Sequence, residues 1–147
     1  MEFEDRGRSQ NPAGFDPAPG LKPGMKGAKE ELVTDAKTAR SYGSGGLPVY
    51  ATPAMAALME GAAVDAVDKA LPEGWSTVGA ELAIKHLAPT PPGMLVRAFA
   101  ELVEIDGRRL EFRVEAGDGV EKIGEGTHWR FIINNKKFTE KAEKKRE

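Results

Sequence analysis

The chain has 147 residues, with 21 Lys and Arg against 23 Asp and Glu, a formal net charge of −2. No global basic field therefore draws it to nucleic acid or anionic lipid, and its longest apolar run is too short and too alanine-rich to span a bilayer. With no cysteine and only two histidines, far apart, it lacks disulfides, thiolate metal sites and thiol nucleophiles, argues against a histidine metal site, and fits a reducing cytoplasm.

Residues 1–20 are rich in Pro, Gly and charge, with Phe3 and Phe15 as lone anchors. They read as an extension outside the core, without the apolar stretch of a signal peptide. Residues 21–147 are long enough for one domain. Leu32 and Val33 mark a short first strand. "SYGSGGLPVY" follows, and its glycines Gly43, Gly45 and Gly46 permit a mobile entrance loop. Thr52-Pro53 is a good helix start, with Thr as N-cap and Pro at the first helical position. The helix is expected to reach about Ala70 and to stop at "LPEGW".

From Ser76 the period changes to two. Val78, Ala80, Leu82, Ile84 and His86 fall on one strand face, and Thr77, Glu81 and Lys85 on the other. "APTPPGM" is a turn, with Pro92-Gly93 suited to type II geometry. Met94 to Ile105 and Leu110 to Ala116 read as strands joined by a hairpin at Asp106-Gly107. "THWRFII" is a further strand, and "NNKKFTEKAEKKRE" a solvated helix with only Phe138 and Ala142 to bury. One apolar helix beside consecutive antiparallel strands makes an α+β layered fold.

On a helical wheel Met55, Leu58, Met59, Ala62 and Ala66 form one stripe, and Ala56, Ala57, Ala63, Val64 and Val67 cover most of the remainder. Glu60 stands among them, away from the polar edge of Gly61, Asp65 and Asp68. A helix apolar almost all round is enclosed on several sides, here by a curved sheet and a second subunit. An unpaired carboxylate there would cost several kcal/mol. Glu60 is therefore paired, protonated or facing a pocket; the plainer alternative is that it reaches the surface or pairs with a neighbouring Lys or Arg.

"VYATPAMAALMEGAAVDAV", "STVGAELAIKHLAPTPPGM" and "GEGTHWRFII" stand in this order over residues 24–138. Together they resemble the fluoroacetyl-CoA thioesterase-like branch of the hot-dog fold. The resemblance implies a long central helix wrapped by a five- or six-stranded antiparallel sheet. It also implies a homodimer, which two copies could extend to a tetramer, with active sites at the subunit interface. It implies a catalytic group of Thr52, Glu60 and His86, and matches Gly79 to the family's strand glycine. One departure stands out. The fluoroacetyl-specific members carry phenylalanines in the loop before the helix, where this chain has glycines. That speaks against fluoroacetyl-CoA as natural substrate and for a small or medium acyl-CoA.

Thioester hydrolysis needs a nucleophile or activated water, stabilisation of the oxyanion and a proton for the thiolate. Glu60 could attack or activate water. His86 could carry the proton. The Thr52 hydroxyl lies at a helix N-terminus that favours negative charge. Gly79 lets its backbone approach the acyl group, and Gly45 and Gly46 line the way in. Arg130 is expected at the coenzyme phosphates or in an interface salt bridge, and Lys85 carries the same ambiguity. His128 is read as structural or interface-forming. No metal or cofactor is required, since coenzyme A is part of the substrate. Two other functions stay open at this point: a hot-dog enoyl-CoA hydratase or dehydratase, and a non-catalytic acyl-CoA-binding module.

Overall fold

The computed structural model describes residues 19–147, so Phe3, Phe15 and nearly all of the proposed extension lie outside the described residues. Five strands form one antiparallel sheet in the order β1-β3-β4-β5-β2. They are β1 (Lys26–Leu32), β2 (Trp75–His86), β3 (Leu95–Asp106), β4 (Arg109–Gly117) and β5 (Lys122–Asn134). The last three form a meander, and Asp106-Gly107 turns its first hairpin with Gly107 in the left-handed region. A single turn, α1 (Ala39–Tyr42), precedes the central helix α2 (Thr52–Val67), and α3 (Asn135–Glu143) follows the sheet. Among the described residues no helix is long and apolar enough to cross a membrane.

The strands bury one face each. Val96, Ala98, Ala100 and Leu102 of β3 and Leu110, Phe112, Val114 and Ala116 of β4 alternate inward. Against them lies the expected helix stripe: Met55, Leu58, Met59, Ala62 and Ala66 are all buried. Each large member contributes roughly 1.5–3 kcal/mol by leaving water. Small residues set the spacing. A Cβ on Gly27 of β1 would strike the Ala62 carbonyl and the Ala66 amide, so the helix backbone rests directly on the strand. The Asp65 carboxylate then accepts the Ala28 N–H at 3.0 Å. Gly124 of β5 likewise leaves room for the Met55 and Met59 side chains.

Some boundaries differ from the sequence reading. β1 is longer and starts earlier than Leu32-Val33 suggested, because its inner residue is Gly27 rather than a large apolar side chain. The helix proper stops at Val67, and a 3-10 turn covers Asp68–Ala70. The N-cap is Ala51, and Thr52 is the first helical residue. β5 begins at Lys122, ahead of "THWRFII". α3 is capped by the Asn134 side chain, which accepts the Lys137 N–H at 3.1 Å, but Ala142 stays exposed. Among the described residues the sheet covers one side of the central helix. Pro53 and Ala57 are exposed, and Glu60, Gly61 and Val64 are half-buried.

Candidate active site

Thr52 stands one position inside the helix, so its hydroxyl does not cap a helix amide. It meets His86 instead: Oγ1 lies 2.7 Å from Nδ1. His86 is the last residue of β2 and faces inward opposite Gly124. Its Nε2 is buried and has no hydrogen-bond partner among the described residues. Burial lowers the imidazole's pKa, which keeps the ring neutral near pH 7, able to give or take one proton. The pair sits at the positive end of a sixteen-residue helix.

Beside it opens a cleft of about 330 Å3, walled by Ala39, Val49, Tyr50, Leu87 and Ala88. Tyr50 is fixed there by donating its hydroxyl to Glu31; its burial and the Glu31 carboxylate both push its pKa up. Ser44 lines the cleft from the glycine loop. In that loop only Gly43 has a positive φ, as the left-handed cap of α1. Gly45 rests against Ala39 at ordinary contact distance, and Gly46 has open space where a side chain would stand.

Glu60 belongs to a second cluster. Its Oε2 accepts from Arg130 Nη1 at 3.3 Å and lies 3.8 Å from His128 Nε2. Arg130 is buried, while the Glu60 side chain is 43% exposed. Within the chain, Arg130 is thus held by Glu60 and Thr77. It lies beneath Glu60 because Arg130 Nε donates to the Thr77 hydroxyl at 2.8 Å and Nη2 to the Thr77 carbonyl at 3.0 Å. Burial disfavours the guanidinium charge, and Glu60 restores part of it. Lys85, by contrast, points outward into solvent.

A β-bulge explains how these residues converge. Gly79 pairs with Arg130 and Glu81 with Trp129, so Ala80 is an extra residue. The bulge reverses the strand's parity. Thr77 and Gly79 face the helix before it, and Leu82, Ile84 and His86 after it. Val78 therefore does not share the His86 face, contrary to the simple alternation. Gly79 makes room for Glu60. A Cβ there would collide with Glu60 Oε2 and press on His128 and Arg130. Its missing side chain is the space the carboxylate occupies.

Sequence reasoning brought out Thr52 and His86, which the fold joins, and Glu60 and Gly79, which it also joins. It did not foresee Thr77 as a partner of Arg130. It read His128 as structural or interface-forming, and the His-x-Arg pair on the buried face of a strand away from the sheet edges is the signal that links His128 to Arg130.

Three comparisons bear on this site. Residues 33–136 match the model of the fluoroacetyl-CoA-specific thioesterase family. The chain is 45% identical over 97 residues to the fluoroacetyl-CoA thioesterase of Streptantibioticus cattleyicolor, covering 66% of this chain and 70% of that protein. Among solved structures it is similar to the fluoroacetyl-CoA thioesterase FlK, with 39% identity, a TM-score of 0.80, and coverage of 86% of this chain and 98% of that one. A mutant of FlK in complex with acetyl-CoA gives 37% identity and a TM-score of 0.80, covering 85% and 98%. A thioesterase-superfamily protein of Thermus thermophilus gives 31% identity and a TM-score of 0.81, covering 87% and 95%.

Proposed function

Because this chain belongs to the fluoroacetyl-CoA-specific thioesterase family and is a hot-dog acyl-CoA thioesterase, we propose that it hydrolyses small or medium acyl-CoA esters at a site built from two protomers. Thr52 and His86 come from one copy, and Glu60 from the other. The observation that carries this is the Thr52–His86 contact at the helix N-terminus beside the cleft, with Glu60 eight residues further along the same helix. Eight residues span about 12 Å of helix. A single thioester carbonyl, with hydrogen-bond reach of about 3 Å, does not touch both ends within one chain.

A two-fold pairing removes that gap. Among the described residues β2 is an edge strand with no neighbour on its outer side, and edge strands are templates for pairing. Antiparallel pairing of two such edges runs His86 of one copy towards Gly79 of the other. The helix face beside Glu60 carries Pro53 and Ala57, which are exposed, and Val64, which is half-buried, small apolar residues of the kind a second copy would pack against. This cover would also supply the enclosure that Glu60 lacks in one protomer.

In this reading the carbonyl carbon is attacked from the Glu60 side, either by water whose proton Glu60 takes or by the carboxylate itself. The oxyanion forms at the helix N-terminus next to Thr52. As the carbonyl reforms, the C–S bond breaks, and the proton released by the attacking water, or in the anhydride route by the water that cleaves the anhydride, reaches the thiolate through the His86 imidazole, which Thr52 orients and which ends neutral as it began. Coenzyme A enters as part of the substrate, and no cofactor takes part. A coenzyme A substrate supports a cytoplasmic setting for the reaction. The test is thiol release from a panel of acyl-CoAs read with a thiol-reactive dye. Rising thiol with chain-length selectivity supports the reading, and no release from any member removes it. Trapping a labelled acyl group on Glu60 separates the anhydride route from general-base hydrolysis.

A further inference from the structure

We propose that His128 is a positioning residue of this hydrolysis, whose neutral imidazole holds the Arg130 guanidinium and, through it, Glu60. The inference rests on the reading that Glu60 takes part in the reaction, and extends it to the group that aims the carboxylate.

The hydrogen bonds fix the ring's state. His128 Nδ1 lies 2.8 Å from the Glu81 carbonyl oxygen, which can only accept, so Nδ1 carries the proton. Nε2 is then a bare acceptor. Arg130 Nη1, which can only donate, approaches it at 3.1 Å. The same Nη1 reaches Glu60 Oε2 at 3.3 Å. A continuous chain therefore runs from the Glu81 carbonyl at the bulge, through His128 and Arg130, to the carboxylate. The other Arg130 nitrogens are held by Thr77. His128 is 1% exposed, so no water competes for its Nε2.

A purely structural role would be a weaker account of this arrangement. The ring packs 6.2 Å from Phe112 on β4 and pairs across from Leu82 on β2, so an apolar ring would fill the space. What an apolar ring lacks is the donor at one end and the acceptor at the other. The charged groups facing the imidazole are Arg130 from β5 and Glu60 from α2, with the Glu81 carbonyl on the β2 side. Protonation would remove the acceptor and set a second cation against Arg130. Burial and the Arg130 charge both act against that.

The test measures kcat and KM for full-length Glu60→Gln, His128→Asn, His128→Gln and the double variant Glu60→Gln/His128→Asn, on one good acyl-CoA. Asn keeps a donor for Glu81 but is too short to accept from Arg130, and Gln restores an acceptor near Nε2. His128→Asn is expected to lower kcat about tenfold or more, the scale of a small misplacement of a reacting group, with KM nearly unchanged. His128→Gln should recover most of kcat. The double variant should be no slower than Glu60→Gln alone. Wild-type kcat in His128→Asn, or an equal loss in the Glu60→Gln background, overturns the inference. Wild-type kcat in Glu60→Gln overturns the assignment of Glu60 itself, a separate failure. If the Asn protein does not fold, His128→Phe, which fits beside Phe112, serves as the acceptor-free variant with the same expected outcomes.

Discussion

Thr52 Oγ1 and His86 Nδ1 lie 2.7 Å apart across 34 residues of sequence, joining the first residue of the central helix to the last residue of the edge strand. Glu60, on the same helix, instead rests on Arg130 and Gly79. This separation within one chain motivates the first prediction. Glu60→Gln and His86→Ala are each expected to lower kcat by about 10²-fold or more, as for loss of an acid or base group. Mixed and reassorted, they should form dimers carrying one intact site, and activity should return. If the mixture stays as inactive as its components while subunit exchange is verified, the shared site is wrong.

Gly79→Ala is expected to reduce kcat at least tenfold, because its Cβ would displace the Glu60 carboxylate. Gly79 does not have a positive φ, so the backbone accepts alanine and the melting temperature should move little. Steady-state kinetics beside a melting curve decide this. A variant with full turnover would mean the carboxylate has no fixed position to lose.

Stability is expected to fall as pH drops below about 6.5. Burial lowers the pKa of both His86 and His128 in the fold, with the Arg130 charge adding to the effect at His128. The unfolded chain then takes up protons first on acidification, so ν_U exceeds ν_N and unfolding is favoured as pH falls. The contribution is fully present above 6.5 and is lost below it. Thermal melts from pH 7.5 to 5 should show the decline, and His128→Gln should flatten it. An identical slope in that variant would show that His128 titrates alike in both states.

Gly46→Phe is expected to narrow the acyl range towards the shortest chains while leaving the fold intact. Gly46 has open space around it and a φ that a side chain tolerates, and its loop borders the cleft through Ser44. The acyl-CoA panel is the measurement. An unchanged profile of chain lengths would take the loop out of substrate selection.

Much of this protein was legible in the chain. The period-two runs and the Asp106-Gly107 turn marked the meander, and the small apolar stripe of Met55, Leu58, Met59, Ala62 and Ala66 marked a helix seated on a sheet. Those features are local, since side-chain periodicity and turn chemistry act over a few residues. Quoted motifs also carried the family, the α+β hot-dog architecture and the thioesterase chemistry, all of which the comparisons support.

What the chain alone left undecided depends on contacts between distant segments. A single extra residue, Ala80, reverses which β2 side chains face the helix, and alternation read along the sequence passes over it. Arg130 was equally suited to a phosphate or a carboxylate until packing buried it under Glu60, beside Thr77 and His128. Composition and period dictate which residues leave water. Only the folded sheet, by bringing β2, β5 and the helix together, decides which polar group each buried charge meets.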